Sequence, residues 1–254
     1  MRIDIFTLFP EMFDGPFSQS IVKRARDKGI VSLFIHNFRD YATDKHKTVD
    51  DYSYGGGPGM VLKPEPLFDA VEAIRREHGG EEELVSTVLL SPQGRLFRQK
   101  TALELARKEH LVLICGHYEG VDERVRQHLV SDELSIGDYV LSGGEIAAMV
   151  VVDAVVRVLP GALGSAESAI DESHAAGLLE YPQYTRPPVF RGWSVPEVLL
   201  SGNHQEILRW RRRESLRRTR EMRPDLIKEA ILSQEEVSSL EAVGGLGSAE
   251  SMVE

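Results

Sequence analysis

The sequence predicts an α/β fold on a mostly parallel sheet, followed by a small helical C-terminal domain. Three observations carry this. Residues 1–160 alternate short β-branched runs with amphipathic stretches, the pattern of repeated βαβ units. Residues 161–177 are small and polar, with no sustained period. From Gly177 onward the period is helical and arginine is frequent.

Taken in order, residues 2–6 alternate in strand fashion, and 31–36, 85–90, 111–115 and 134–136 are the further strand candidates. Helices are expected over 18–28, 65–77, 97–108 and 119–129. Pro64 and Pro66 suit the first turn of the second of these, and Gly79-Gly80 suits its end. Residues 143–159 form a long helix, apolar on nearly all sides, which belongs in a core or against a partner chain. The boundaries that follow are a first domain over 1–163, a flexible linker over 164–177, a helical domain over 178–243 and a disordered tail over 244–254.

Composition narrows the class. Of 254 residues 42% are apolar, enough for a substantial core. One cysteine excludes an internal disulfide and any Cys-based zinc site within the chain, and favours a reducing compartment. The longest apolar stretch, 147–163, is broken by Asp153 and Arg157, and the N-terminus lacks the order of a signal peptide. A cytoplasmic protein with no membrane partner is expected. The formal charge of −10 is unevenly spread. Residues 205–228 hold nine Arg and Lys against four Asp and Glu, whereas 229–254 hold six acids and no base. Local patches set the field that a polyanion meets, so RNA remains a candidate partner.

Three glycine-bearing segments stand at or near the carboxyl ends of predicted strands, where small molecules bind in such sheets. They are Ser91-Pro92-Gln93-Gly94, the stretch from Cys115 to Gly120, and the stretch from Ser135 to Gly144. A fourth, Tyr54-Gly55-Gly56-Gly57-Pro58-Gly59-Met60, is either a flexible hairpin or a surface where the main chain approaches a flat ligand. None is a P-loop or a dinucleotide fingerprint.

Five motifs occur in one order: Tyr-Gly-Gly-Gly-Pro-Gly-Met at 54–60, Leu-Ser-Pro-Gln-Gly at 90–94, Cys-Gly-His-Tyr-Glu-Gly-Val-Asp-Glu-Arg at 115–124, Ser-Ile-Gly-Asp-Tyr-Val-Leu-Ser-Gly-Gly-Glu at 135–145 and Tyr-Pro-Gln-Tyr-Thr-Arg-Pro at 181–187. Together they resemble the bacterial tRNA (guanine-N1-)-methyltransferases, the TrmD family of the SPOUT class, from Met1 to about Pro224. The resemblance implies a deep trefoil knot in the first domain, a homodimer, and methylation of the guanosine at position 37 of tRNA. Periodicity alone shows an ordinary doubly wound sheet.

The same resemblance implies an S-adenosylmethionine site made by Leu89, Leu90, Ser91, Pro92, Gln93, Gly94, Gly116, Tyr118, Glu119, Ile136, Gly137, Asp138, Tyr139, Val140, Leu141, Gly143 and Gly144. It also implies that Glu119 assists a magnesium ion. A methyltransferase acting on ribosomal RNA and a non-catalytic RNA-binding protein are the alternatives.

Guanine N1 must lose a proton to attack a methyl group, so a carboxylate base is needed, together with a cation for the charge that spreads to O6. By resemblance Arg157 is that cation. By spacing alone it is an ion-pair partner of Asp153, four residues earlier. For the base the linker offers Glu172, five residues before Gly177, and its neighbour Asp171. The family has Asp where this chain has Glu172, so both carboxylates stand as candidates.

A helix capped by Asn203 carries Arg209, Arg212, Arg213, Arg217, Arg220 and Arg223 on an arc of roughly 140°, at 100° per residue. One-sided arginine suits phosphate contacts, and the first five are the expected RNA-binding residues. The alternative is a basic face paired with the acidic tail.

Overall fold

The computed structural model describes residues 1–78, 85–163, 173, 177–228, 230, 232–234 and 236. The chain divides into two compact units, 1–166 and 167–254.

In the first unit five strands form one sheet: β1 (Arg2–Thr7), β2 (Ser32–Asn37), β5 (Val85–Leu96), β6 (His110–Cys115) and β7 (Asp132–Ser135). Their spatial order is β2-β1-β6-β5-β7, and every pairing is parallel. A short antiparallel pair, β3 (Asp50–Asp51) and β4 (Val61–Leu62), stands apart from this sheet.

Strand alternation divides the core between two faces. Ile3, Ile5, Leu111 and Leu113 pack with α1 (Ser20–Asp27), α3 (Gln99–Leu105) and α5 (Glu145–Val158). Phe6, Leu89, Val112 and Ile114 face α2 (Pro64–His78) and α4 (Glu123–His128). Central β6 is buried along its whole length, which is why it reads as a continuous apolar run. Each such Leu or Ile contributes roughly 1.5–3 kcal/mol by leaving water.

Several element ends differ from expectation, for local reasons. The helix expected over 119–129 starts at Glu123, because the Asp122 carboxylate caps it by accepting from Arg124 N–H. Residues 119–120 are instead tied to the segment 60–62: Glu119 N–H donates to the Met60 carbonyl, and Leu62 N–H to that of Gly120. The strand expected over 85–90 resumes at Arg95 after a register shift, so β5 pairs with β7 on both sides of Ser91–Gly94. The helix expected over 143–159 begins at Glu145, leaving Gly143 and Gly144 in the preceding loop. Residues 18–28 and 97–108 yield the shorter α1 and α3, and 134–136 becomes β7 at 132–135.

The buried face of α5 carries Ala148, Val151, Val152, Val155 and Val156, while Ile146 and Val150 are 47% and 42% exposed. No helix among the described residues is long and apolar enough to cross a membrane.

The second unit is built on α7 (His204–Met222), with α6 (Glu197–Leu200) before it and α8 (Pro224–Ile227) after it. The Asn203 side chain caps α7 by accepting from Glu206 N–H at 3.4 Å. Thr219, fully buried, donates to the Ser215 carbonyl and accepts from Leu179 N–H. A short hairpin, β8 (Val189–Phe190) with β9 (Trp193–Ser194), was not expected from the pattern.

Candidate active site

At the carboxyl end of the parallel sheet the segments following β6 and β7 meet the irregular turn inside β5 around a cavity of about 360 Å³. Leu89, Leu90, Ser91, Pro92 and Gln93 form one wall. Gly116, Tyr118 and Glu119 form a second, and Ile136, Gly137, Tyr139, Val140, Leu141, Gly143 and Gly144 a third. Of the expected cofactor residues, Gly94 and Asp138 lie outside this lining.

Gly94 has a different task. A Cβ on it would strike the backbone of Glu133 and Leu134, so its bare Cα lets β5 close on β7. Gly144 meets the same constraint within the cavity. Its added Cβ would sit 2.7 Å from the Cys115 Cα, and its N–H donates to the Gly116 carbonyl at 2.8 Å.

The loops are held by their own polar groups. The Ser135 hydroxyl donates to the Gly137 carbonyl at 3.0 Å, and the Tyr139 hydroxyl to that of Ile136 at 3.1 Å. Behind the third wall, buried Glu145 accepts a hydrogen bond from the Thr7 hydroxyl at 2.7 Å. Burial, helped by the Glu145 charge, pushes the Cys115 thiol well above its ordinary range, as befits a core residue rather than a nucleophile.

Sequence reasoning missed His117, Glu133 and Arg126 in the lining. Arg126 binds Glu133 at 2.7 Å and Glu123 at 3.0 Å. The other carboxylate oxygen of Glu133, Oε1, and the Nδ1 of His117 are buried without hydrogen-bond partners. Buried polar atoms ordinarily have partners, so these two are open to a ligand's polar groups. Of the three, His117 alone lies within one of the five motifs; nothing in the pattern marks Arg126 or Glu133.

Glu119 also borders the loop 54–60, since a Cβ on Gly59 would meet its side chain. Among the described residues no group of three or more His, Cys, Asp or Glu could hold a metal ion. Arg157 lies in the last turn of α5, outside the cavity lining. At 1.5 Å per residue it is about 20 Å along the axis from Gly144. Asp171 and Glu172 lie outside the described residues.

The arginines of α7 are mostly engaged. Arg212 makes a two-point pair with Glu236 at 2.6 and 3.1 Å, and these hydrogen bonds hold the Glu236 carboxyl down at about 2. Arg217 bridges Glu214 and Glu221, and Arg209 pairs with Glu206. Arg213 is 73% exposed, and its nearest carboxylate among the described residues is that of Glu214 at 4.0 Å. Arg220 is half-buried.

The family model described as tRNA (Guanine-1)-methyltransferase TrmD matches residues 1–229. The chain belongs to the TrmD family. A relative from Dehalococcoides mccartyi named tRNA (guanine-N(1)-)-methyltransferase is 64% identical over 234 residues, covering 92% of this chain and 93% of that one. A relative of the same name from Bacillus cereus is 58% identical over 243 residues, covering 96% and 98%. The all-parallel sheet with helices on both faces is consistent with the SPOUT class to which the TrmD family belongs.

Proposed function

We propose that this chain transfers a methyl group from S-adenosylmethionine to N1 of the guanosine at position 37 of tRNA, as a homodimer in the cytoplasm. The observation that carries the reading is a ligand-sized cavity walled by glycine-bearing loops at the carboxyl edge of the sheet, in a chain of the TrmD family.

The cavity fits the donor. Leu90, Pro92, Ile136 and Leu141 offer apolar contact for a purine, and backbone groups of 136–141 offer polar partners. Glu133 Oε1 is an open acceptor for an amino group. When bound, the donor supplies an electrophilic methyl on a sulfonium. The protein's part is to hold the acceptor in line and to take its proton.

Glu172 is the proposed base, with Asp171 beside it, and the Arg157 guanidinium steadies the charge that reaches O6. Since Arg157 lies about 15 Å along α5 from Ala147, the lining residue nearest to it on that helix, the arginine serving each site comes from the partner chain. Exposed Ile146 and Val150 on α5 support such pairing. The knot implied by the family belongs to the same reading. Glu119 belongs to no group of three or more His, Cys, Asp or Glu that could hold a metal among the described residues, so no step here is routed through magnesium.

The test is methyl transfer from labelled S-adenosylmethionine to bulk tRNA and, separately, to bulk ribosomal RNA. Label in tRNA alone is expected; label in ribosomal RNA, or none, overturns the reading.

A further inference from the structure

The most conspicuous exposed aromatics of the second unit lie on its hairpin. Phe190 is 55% exposed and Trp193 is 70% exposed; they pair across β8–β9 with ring centroids 6.3 Å apart. Large aromatic side chains left in water at one spot mark an interaction surface.

The chemistry around them selects the occupant. Residues 181–196 contain two arginines, Arg186 and Arg191, and no acidic residue. Both arginines are exposed. Neither has a carboxylate partner among the described residues, in contrast to Arg209, Arg212 and Arg217 of α7. Arg191 sits at the tip with φ +53°, a left-handed conformation that a turn of this kind ordinarily gives to Asn or Gly. There its guanidinium lies 5.2 Å from the Phe190 ring centroid. Exposed π-faces beside uncompensated positive charge are the recognition chemistry of unpaired nucleotides, whose bases stack and whose phosphates need cations.

The geometry points to the β8–β9 hairpin as a single-strand RNA platform: unstacked bases lie on Trp193 and Phe190, and the flanking phosphates meet Arg191 and Arg186. It rests on the reading that this chain acts on tRNA, and places an unpaired segment of that RNA on the hairpin. A duplex cannot use the platform, because its base faces are already stacked.

Full-length protein carrying Trp210→Phe leaves Trp193 as the sole tryptophan, so its fluorescence reports the hairpin. A short single-stranded oligouridylate should quench it, and a duplex RNA of equal length should not. In direct binding to tRNA, Phe190→Ala with Trp193→Ala should weaken affinity about 10- to 100-fold with the salt slope unchanged. Trp193→Phe should keep most of the affinity, which separates stacking from misfolding. Arg186→Ala with Arg191→Ala should instead lower the salt slope by roughly 0.7 for each phosphate that is no longer neutralised.

Wild-type tRNA affinity in the double aromatic variant overturns the proposal. So does a change in its sedimentation with tRNA affinity intact, which would make the hairpin a contact between copies of this chain. If oligouridylate quenches Trp193 but tRNA does not bind, the platform stands and the tRNA reading falls. If neither binds, both fall.

Discussion

A single carboxylate decides whether guanine N1 can be alkylated at neutral pH, because the ring nitrogen keeps its proton until a base takes it. Glu172, five residues before Gly177, is the proposed base. Glu172→Gln should therefore lower the single-turnover methylation rate by about 10²- to 10⁴-fold, with tRNA and donor binding nearly unchanged. Asp171→Asn should cost far less. The reverse ranking would show that the backbone presents Asp171 instead.

Asp4 shows residue-scale electrostatics away from the cavity. Its side chain is fully buried on β1 and accepts hydrogen bonds from His110 at 2.8 Å, His36 at 2.6 Å and Arg2. Burial raises its pKa, but these hydrogen bonds outweigh that and hold the carboxyl well below its ordinary 3.8. A depressed folded-state pKa stabilises fully above the unfolded value and fades as pH falls through the folded one. Denaturant unfolding should thus show stability lost on acidification below about pH 4, a loss that Asp4→Asn diminishes. The same variant should cost roughly 3–5 kcal/mol at pH 7, by leaving buried His110 and the half-buried His36 and Arg2 without their anion.

Among the elements, α7 changes most between sequence and structure. A helical wheel places six arginines on one arc and cannot see which of them a carboxylate already holds. Glu236 reaches Arg212 from 24 residues downstream, a separation outside any local pattern. Arg213→Ala should weaken tRNA binding and reduce the salt slope by about 0.7–0.9, since its guanidinium is exposed. Arg212→Ala should change that slope less. Equal slopes for the two variants would mean that tRNA displaces Glu236.

Other elements differ in how legible they are in the sequence. β1 and β6 follow directly from alternation and from a continuous apolar run. The segments over 90–94, 115–120 and 135–144 are legible as ligand loops because glycines gather after strands. The continuation of β5 past Leu90 is not, because Ser-Pro-Gln-Gly reads as a turn and the pairing resumes only through contact with β7. Two-residue strands such as β8 and β9 hold too few residues for any period to show. Glu133 and Arg126 reach the cavity through tertiary packing, and no sequence spacing announces it.

At the scale of the whole molecule, the proposed role of Arg157, which lies outside the lining of its own cavity, calls for two chains at each complete site. Sedimentation should find a species of twice the 28.4 kDa chain mass at micromolar concentration. Mixing an Arg157→Ala chain with a cavity-blocked Gly144→Ala chain should restore activity, because the mixed dimer holds one intact site. With random pairing the regained rate is about a quarter of wild type. A stable monomer, or no regain on mixing, would place Arg157 and the cavity in separate functions.

The most direct measurement locates the methyl group. A tRNA transcript with guanosine at position 37 is incubated with the protein and S-adenosylmethionine, then digested and sequenced by mass spectrometry. 1-Methylguanosine is expected at position 37, and no product from a transcript carrying adenosine there. A methyl group at another position or another ring atom, or an unmodified transcript under conditions where the donor binds, would contradict it.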